Sequence, residues 1–181
     1  MRPKDMTSIK PKEELPAENE PTPREKDTSM FAKKPLATDE PSAHEPVHIE
    51  LLQALKVLEE LIDDLDEPSA RARERAAQVH IFFSTTARDH HLHEEAKIFP
   101  PMLQSNDVEL VQLVRRLQQD HGWIEEDWLV LDPPLQALID GQSVFDRELL
   151  TRGIPVFTAL CREHVALEES EVYPRFHGRK G

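Results

Sequence analysis

From residue 46 onward, apolar positions recur three and four apart, the spacing of a single helix face. The first such stripe is His48, Leu51, Leu52, Leu55, Leu58, Ile62 and Leu65, and it predicts a helix from about Pro46 to Asp66. Pro46 suits a first helical position, where its missing N–H costs nothing. A break containing Pro68 follows. The second stripe is Ala72, Ala76, Val79, Phe83, Ala87 and His90, within a helix from about Ser69 to Ile98 that Pro100 and Pro101 should stop. The third begins after an Asn106–Asp107 cap and carries Val111, Val114, Leu117, His121, Ile124 and Trp128 inward. Pro133 and Pro134 should interrupt it, with a short helical piece continuing to Ile139. The fourth starts near Asp146, should bend around Gly153 and Pro155, and should end before Pro174. No segment alternates at period two for long enough to make a strand. Four helices on short connections imply an all-α, antiparallel up-down-up-down four-helix bundle.

Residues 1–43 break this pattern. They are rich in Pro, Glu and Lys, contain no Gly and show no apolar period, so they read as a disordered N-terminal tail. A short partner-binding segment around Met30 and Phe31 is the other reading of that stretch, and it would make the tail the contact to a protein partner. The bundle then occupies 44–176, and 177–181 form a short C-terminal tail.

Charge narrows the function. The chain of 181 residues has 35 acidic and 22 basic side chains, a net charge of −13, nearly all of it outside the tail. Nucleic acid needs a basic face to displace its counterions, and an anionic membrane surface attracts one, so neither is an expected partner. No apolar run approaches the roughly 18 residues of a spanning helix, and the N-terminus lacks a signal-peptide core. The expectation is a soluble, cytoplasmic protein. One cysteine, Cys161, rules out an internal disulfide, a cysteine-based zinc site and an iron–sulfur cluster within the chain. Cys161 reads best as a small buried apolar residue. Five glycines suit a helical protein, but nine histidines do not follow from helix formation.

The histidines fall into a repeat. HHLHEEAKIFP, from His90 to Pro100, aligns without gaps on HVALEESEVYP, from His164 to Pro174. Both read His-x-x-x-Glu-Glu-x-x-(Ile/Val)-aromatic-Pro, and Arg88–Asp89 and Arg162–Glu163 precede them. This is the mark of a repeated helical hairpin. Positions i and i+4 share a helix face, so His90 with Glu94, and His164 with Glu168, can each reach one interior point. The other two helices each offer one inward histidine, His48 and His121.

Counting residues from the turns tests whether these meet. From a first turn near residue 67, His48 and His90 lie about 19 and 23 residues away, about 29 and 35 Å at 1.5 Å per residue. From a second turn near 104, His90 and His121 lie about 14 and 17 residues away. From a third near 143, His121 and His164 lie about 22 and 21 away. All four histidines reach one layer, with Glu94 and Glu168 about one turn beyond. Four imidazoles and two carboxylates would be costly in an empty apolar core. Two divalent cations, bridged by two glutamates and bound by neutral histidines, would balance the charge. Mixed His/carboxylate donors suit iron, and less exclusively manganese or zinc. Six protein ligands for two metals leave coordination positions open.

At these residues the chain resembles the hemerythrin-like proteins with an HHE cation-binding domain. The resemblance spans about 44–175 and is carried by His48, the doubled His-x-x-x-Glu-Glu motif and Asp120–His121. It implies that His48, His90, Glu94, His121, His164 and Glu168 are the metal ligands of a site holding two non-haem irons. Oxygen-carrying hemerythrins have a fifth histidine one turn after the third-helix ligand, where this chain has Glu125. They also have an Asp five residues after the fourth-helix histidine, where this chain has Glu168 at four. The four-His, two-Glu set is closer to di-iron repair proteins linked to iron–sulfur damage, which carry a cysteine-bearing domain that this tail does not match. Two functions follow: a module that binds or senses oxygen, nitric oxide or peroxide, and a redox enzyme that reduces peroxide or nitric oxide or delivers iron for repair. A metal-free helical adaptor is the third reading.

Several residues stay open at this level. His91 pairs with Glu95 at the same spacing and is the alternative to His90; otherwise His91 and His93 belong at the rim. His44 is the weaker alternative to His48, His80 reads as a helix-face residue, and His177 lies past Pro174. Glu125 is either a further ligand, an acceptor for a ligand, or an exposed carboxylate in an acidic run.

Overall fold

The computed structural model describes residues 46–177. The expected tail of 1–43 with Met30 and Phe31, His44, and most of the expected C-terminal tail lie outside the described residues.

Four helical rods make up the described chain, and no strand occurs among the described residues. Helix α1 spans Pro46–Leu61 and tightens into a 3₁₀ turn over Ile62–Asp64. Helix α2 spans residues 70–103, α3 spans Val108–Ile139, and α4 spans residues 147–177. Side-chain caps start three of them. Ser69 Oγ accepts the Ala72 N–H (3.0 Å), Asp107 Oδ1 accepts the Leu110 N–H (3.1 Å), and Asp146 Oδ1 accepts the Leu149 N–H (2.9 Å). Each bond satisfies a donor the helix cannot use itself. The connections are short, so sequential rods run antiparallel; each packs on its sequence neighbours, and α4 closes the ring against α1. No described helix is long and apolar enough to cross a membrane.

The proline stops fail, and each failure has a local cause. Pro133 and Pro134 lie inside a continuous α3. The carbonyls they leave unbonded belong to Leu129 and Val130, whose side chains are 63% and 56% exposed, so water reaches that flank. Meanwhile Leu131, Pro134, Leu135 and Leu138 are buried on the other flank and hold the helix to the core. Pro155 is likewise interior to α4. Pro100 does not stop α2, nor Pro174 α4. Both follow a π turn, over Glu94–Ile98 and Glu168–Val172. In these turns the Phe99 and Tyr173 N–H groups reach five residues back, to the Glu94 and Glu168 carbonyls. The widened turn accommodates a proline ring that would collide with the carbonyl of a regular helix. Leu52, expected inward, is exposed; Ala54 and Leu61 fill α1's buried face instead.

The core is divided in two. One apolar cluster runs from the α1–α2 turn up to Ala87, Ile124 and Val165. The other contains Ile98, Phe99, Met102, Leu110, Val114, Leu117, Val172 and Tyr173, and draws nothing from α1. Between them lies a layer of buried polar side chains.

Two glycines, one inside α3 and one just past its end, should respond in opposite directions. Gly141 has φ of +70° just past the helix end, donating to Leu138 O, while Gln142 N–H donates to Ala137 O. This is a Schellman cap, and Gly141→Ala should lower stability by about 1–2 kcal/mol. A Cβ on Gly122 meets nothing within 4 Å, so Gly122→Ala should raise stability by up to about 1 kcal/mol. Urea unfolding of the two variants checks both signs.

Candidate metal centre

The polar layer contains His48 from α1, His90 and Glu94 from α2, Asp120 and His121 from α3, and His164 and Glu168 from α4, all buried. The structure brings together all six residues that the spacing singled out. His48 Nε2 lies 3.1 Å from His90 Nε2 and 3.2 Å from Glu168 Oε2. Across the layer, His164 Nε2 is 3.0 Å from Glu168 Oε1, and His121 Nε2 is 3.4 Å from Glu94 Oε2. His90 Nε2 is 3.5 Å from the same Glu94 oxygen. Among these six residues two groups of donors result, each within 4.8 Å internally: His48, His90 and Glu168, and Glu94, His121, His164 and Glu168. Glu168 belongs to both, and Glu94 lies within reach of a histidine in each.

The second glutamate of each motif has a separate task. Glu169 Oε1 accepts from His48 Nδ1 (3.0 Å), and Glu95 Oε1 accepts from His121 Nδ1 (3.1 Å). In each case the acceptor comes from the helix beside the one that carries the histidine. A hydrogen bond at Nδ1 leaves Nε2 as the donor atom facing the layer and fixes the ring's orientation. Gln118 Nε2 in turn donates to Glu95 Oε2 (2.6 Å). The aromatic residue of each motif completes the pattern. Tyr173 stacks on His48 at 5.9 Å between centroids, and Phe99 stacks on His121 at 5.5 Å. The π turn re-aims these aromatics after the glutamates. The two aromatics differ in one group: the Tyr173 hydroxyl donates to Glu94 Oε1, while Phe99 has no counterpart to that hydroxyl.

Buried charge decides the protonation pattern. Burial opposes ionisation of Glu168, yet His164 and His48 hold its carboxyl well below the usual range. Burial also opposes charging of His164, but Glu168 and Asp120 outweigh it and raise its pKa to about 9. His48 is raised against its burial by Glu168 and Glu169. Burial holds His90 neutral, down to about 3, and burial with the neighbouring His164 takes His121 to about 4. Protons on His48 and His164 therefore balance the glutamates.

A divalent cation fits this donor set better than protons do. The Nε2 atoms of His121 and His164 and both Glu168 oxygens are buried without a well-formed hydrogen bond. Such atoms are rare and costly in a folded core, and a cation would satisfy all four.

Other expectations resolve differently. His91 was assigned to the rim or to His90's place, yet it is neither. It is half-buried, stacks on His121 at 4.1 Å and meets His164 edge-on at 5.4 Å. Burial and His121 keep its pKa well below the usual value. A regular helix turns neighbouring side chains about 100° apart, but π turns over Phe82–Ala87 and Glu94–Ile98 flank this stretch and let two faces of α2 point inward. Glu125 is exposed and pairs with Arg88 (3.3 Å), away from the layer. His80 is a helix-face residue paired with Asp132 (2.7 Å). Cys161 is buried in the lower core, where burial pushes its thiol pKa up and leaves it inert. Sequence spacing missed Glu95, Glu169 and Tyr173, although the repeat of Glu-Glu and of the aromatic was the available signal.

A groove of about 370 Å³ between α2 and α3 opens from the surface toward this layer. Phe83, Ile124 and Trp128 form its apolar wall, and His91, His121 and Glu95 its inner end. The family model for the hemerythrin HHE cation binding domain matches residues 44–176. No curated protein and no solved structure matches the chain significantly.

The protonation pattern gives a stability profile for protein kept in chelator. His164, raised to about 9, contributes stability that is complete below pH 6.5 and lost as pH rises through 9. His90 and His121, lowered to about 3 and about 4, act oppositely: no cost arises above pH 6.5, and stability falls as pH drops toward those values. Urea midpoints should therefore peak near neutrality. In Glu168→Gln, which removes the charge that raises His164, the alkaline loss should shrink.

Proposed function

Because the chain belongs to the hemerythrin HHE cation-binding domain family, we propose that it holds two non-haem irons and reversibly binds or senses a small ligand such as oxygen, nitric oxide or peroxide. His48, His90, Glu94, His121, His164 and Glu168 are the ligands in this reading. The observation that carries it is Glu168, a carboxylate with no exposed surface that belongs to both donor groups, as a bridging ligand must. Iron, when bound, supplies redox chemistry and open coordination positions.

The chain's own residues do the rest. Glu95 and Glu169 hold two histidine rings with Nε2 turned inward. Tyr173 keeps one Glu94 oxygen occupied and so directs the other toward the histidines. Apolar clusters above and below exclude bulk water, which suits an uncharged diatomic and disfavours hydrated ions. The groove between α2 and α3 gives a small molecule a route inward. Manganese and zinc accept similar donors, so the metal is identified by analysis and not by geometry.

Metal analysis after iron supplementation should return about two irons per chain, and Glu168→Ala should lose both, since one bridging residue serves both positions. The absence of any bound transition metal in the wild type would overturn the reading. With the reduced protein in stopped flow, nitric oxide or oxygen should bind once and dissociate. Repeated turnover of peroxide or nitric oxide would replace the binding role with an enzymatic one.

A further inference from the structure

The six ligands proposed above leave a histidine beside the layer, outside their set, with a buried nitrogen and no task. His91 Nε2 is buried and has no hydrogen-bond partner. His91, His121 and His164 each offer a nitrogen within 4.8 Å of the other two. We infer that His91 is a third nitrogen ligand, with His121 and His164, to the metal position on the α3–α4 side. The inference rests on the metal reading above and adds a residue to it.

Two observations carry it. First, His90 and His91 divide between the two positions. His90 faces His48 of α1, with ring centroids 5.0 Å apart, while His91 faces His121 of α3 and His164 of α4. Successive residues of one helix thus serve two metal positions, which the flanking π turns make possible. Second, an unsatisfied imidazole nitrogen is a poor choice for packing alone, and an apolar residue would fill the same place without loss. The repeat makes this comparison within the molecule: the counterpart of His91 on α4 is Val165, which is buried and apolar.

The two positions become unequal. The α3–α4 position has three nitrogens with the shared carboxylates, and the α1 side has only His48 and His90 with them. Open coordination would then fall mainly to the α1 side, where His48 and His90 supply the nitrogens. His91 also lines the inner end of the groove, so a small molecule entering there would pass the more fully ligated position before the other.

Cobalt(II), whose visible absorption strengthens as coordination number falls, tests this without any turnover. Titrated with cobalt in the presence of a competing chelator, the wild-type chain should take up two ions. His91→Phe keeps a flat ring against His121 and removes the nitrogen. It should fold as the wild type does, weaken one of the two ions by at least the roughly tenfold typical of a lost outer partner, and intensify the cobalt bands. Free imidazole should restore the wild-type spectrum in His91→Gly. Two unchanged affinities and an unchanged spectrum in His91→Phe would overturn the inference and leave the metal reading standing, as would an equal weakening of both ions, which marks a packing role. A wild-type chain that takes up no cobalt would overturn the metal reading itself, and this inference with it.

Discussion

A carboxylate with no solvent contact governs this bundle. Glu168 is completely buried, and burial alone would neutralise it. It stays ionised because His48 and His164 approach it from opposite sides, from α1 and from its own helix. That requirement fixes more than one side chain. It draws α1 and α4 together at one height, demands histidines to balance the charge, and needs outer acceptors to orient those rings. The lower apolar cluster could be assembled in several ways, but the polar layer tolerates very few.

The repeated motif distributes the work on one plan. In each copy the histidine and first glutamate face the layer, the second glutamate steadies a histidine on an adjacent helix, and the aromatic covers that same ring. The π turn is what permits this density. It lets one short stretch of helix direct consecutive glutamates to different neighbours and still carry an aromatic and a proline beyond them. The copies differ where chemistry differs: Tyr173 against Phe99, and His91 against Val165.

The bundle and its polar layer were legible because they depend on period and distance. Spacing of three and four marked His48, His90, His121 and His164 as inward, and a fixed rise per residue put them level. Proline was misleading at Pro100, Pro133 and Pro174. Its cost depends on whether the orphaned carbonyl meets water or a widened turn, and neither is visible in a string of letters. His91 was misread for a related reason. Its inward direction comes from flanking π turns that break the period on which the reading relied. Glu95 and Glu169 were present in the motif, but their partners lie on other helices, at a sequence distance no local pattern spans.

The split core has a further effect, on helix sliding. A uniformly apolar bundle can shift one helix past another by a turn, about 5.4 Å, and still bury leucine against leucine. Here the same shift in α4 would carry Glu168 into the lower cluster or against Val114 and Leu117 of the upper one, an ionised group among hydrocarbon. The histidine–carboxylate layer therefore works as a notch between two smooth surfaces. It selects one vertical alignment of the four rods from several that hydrophobic burial alone would rank as equals.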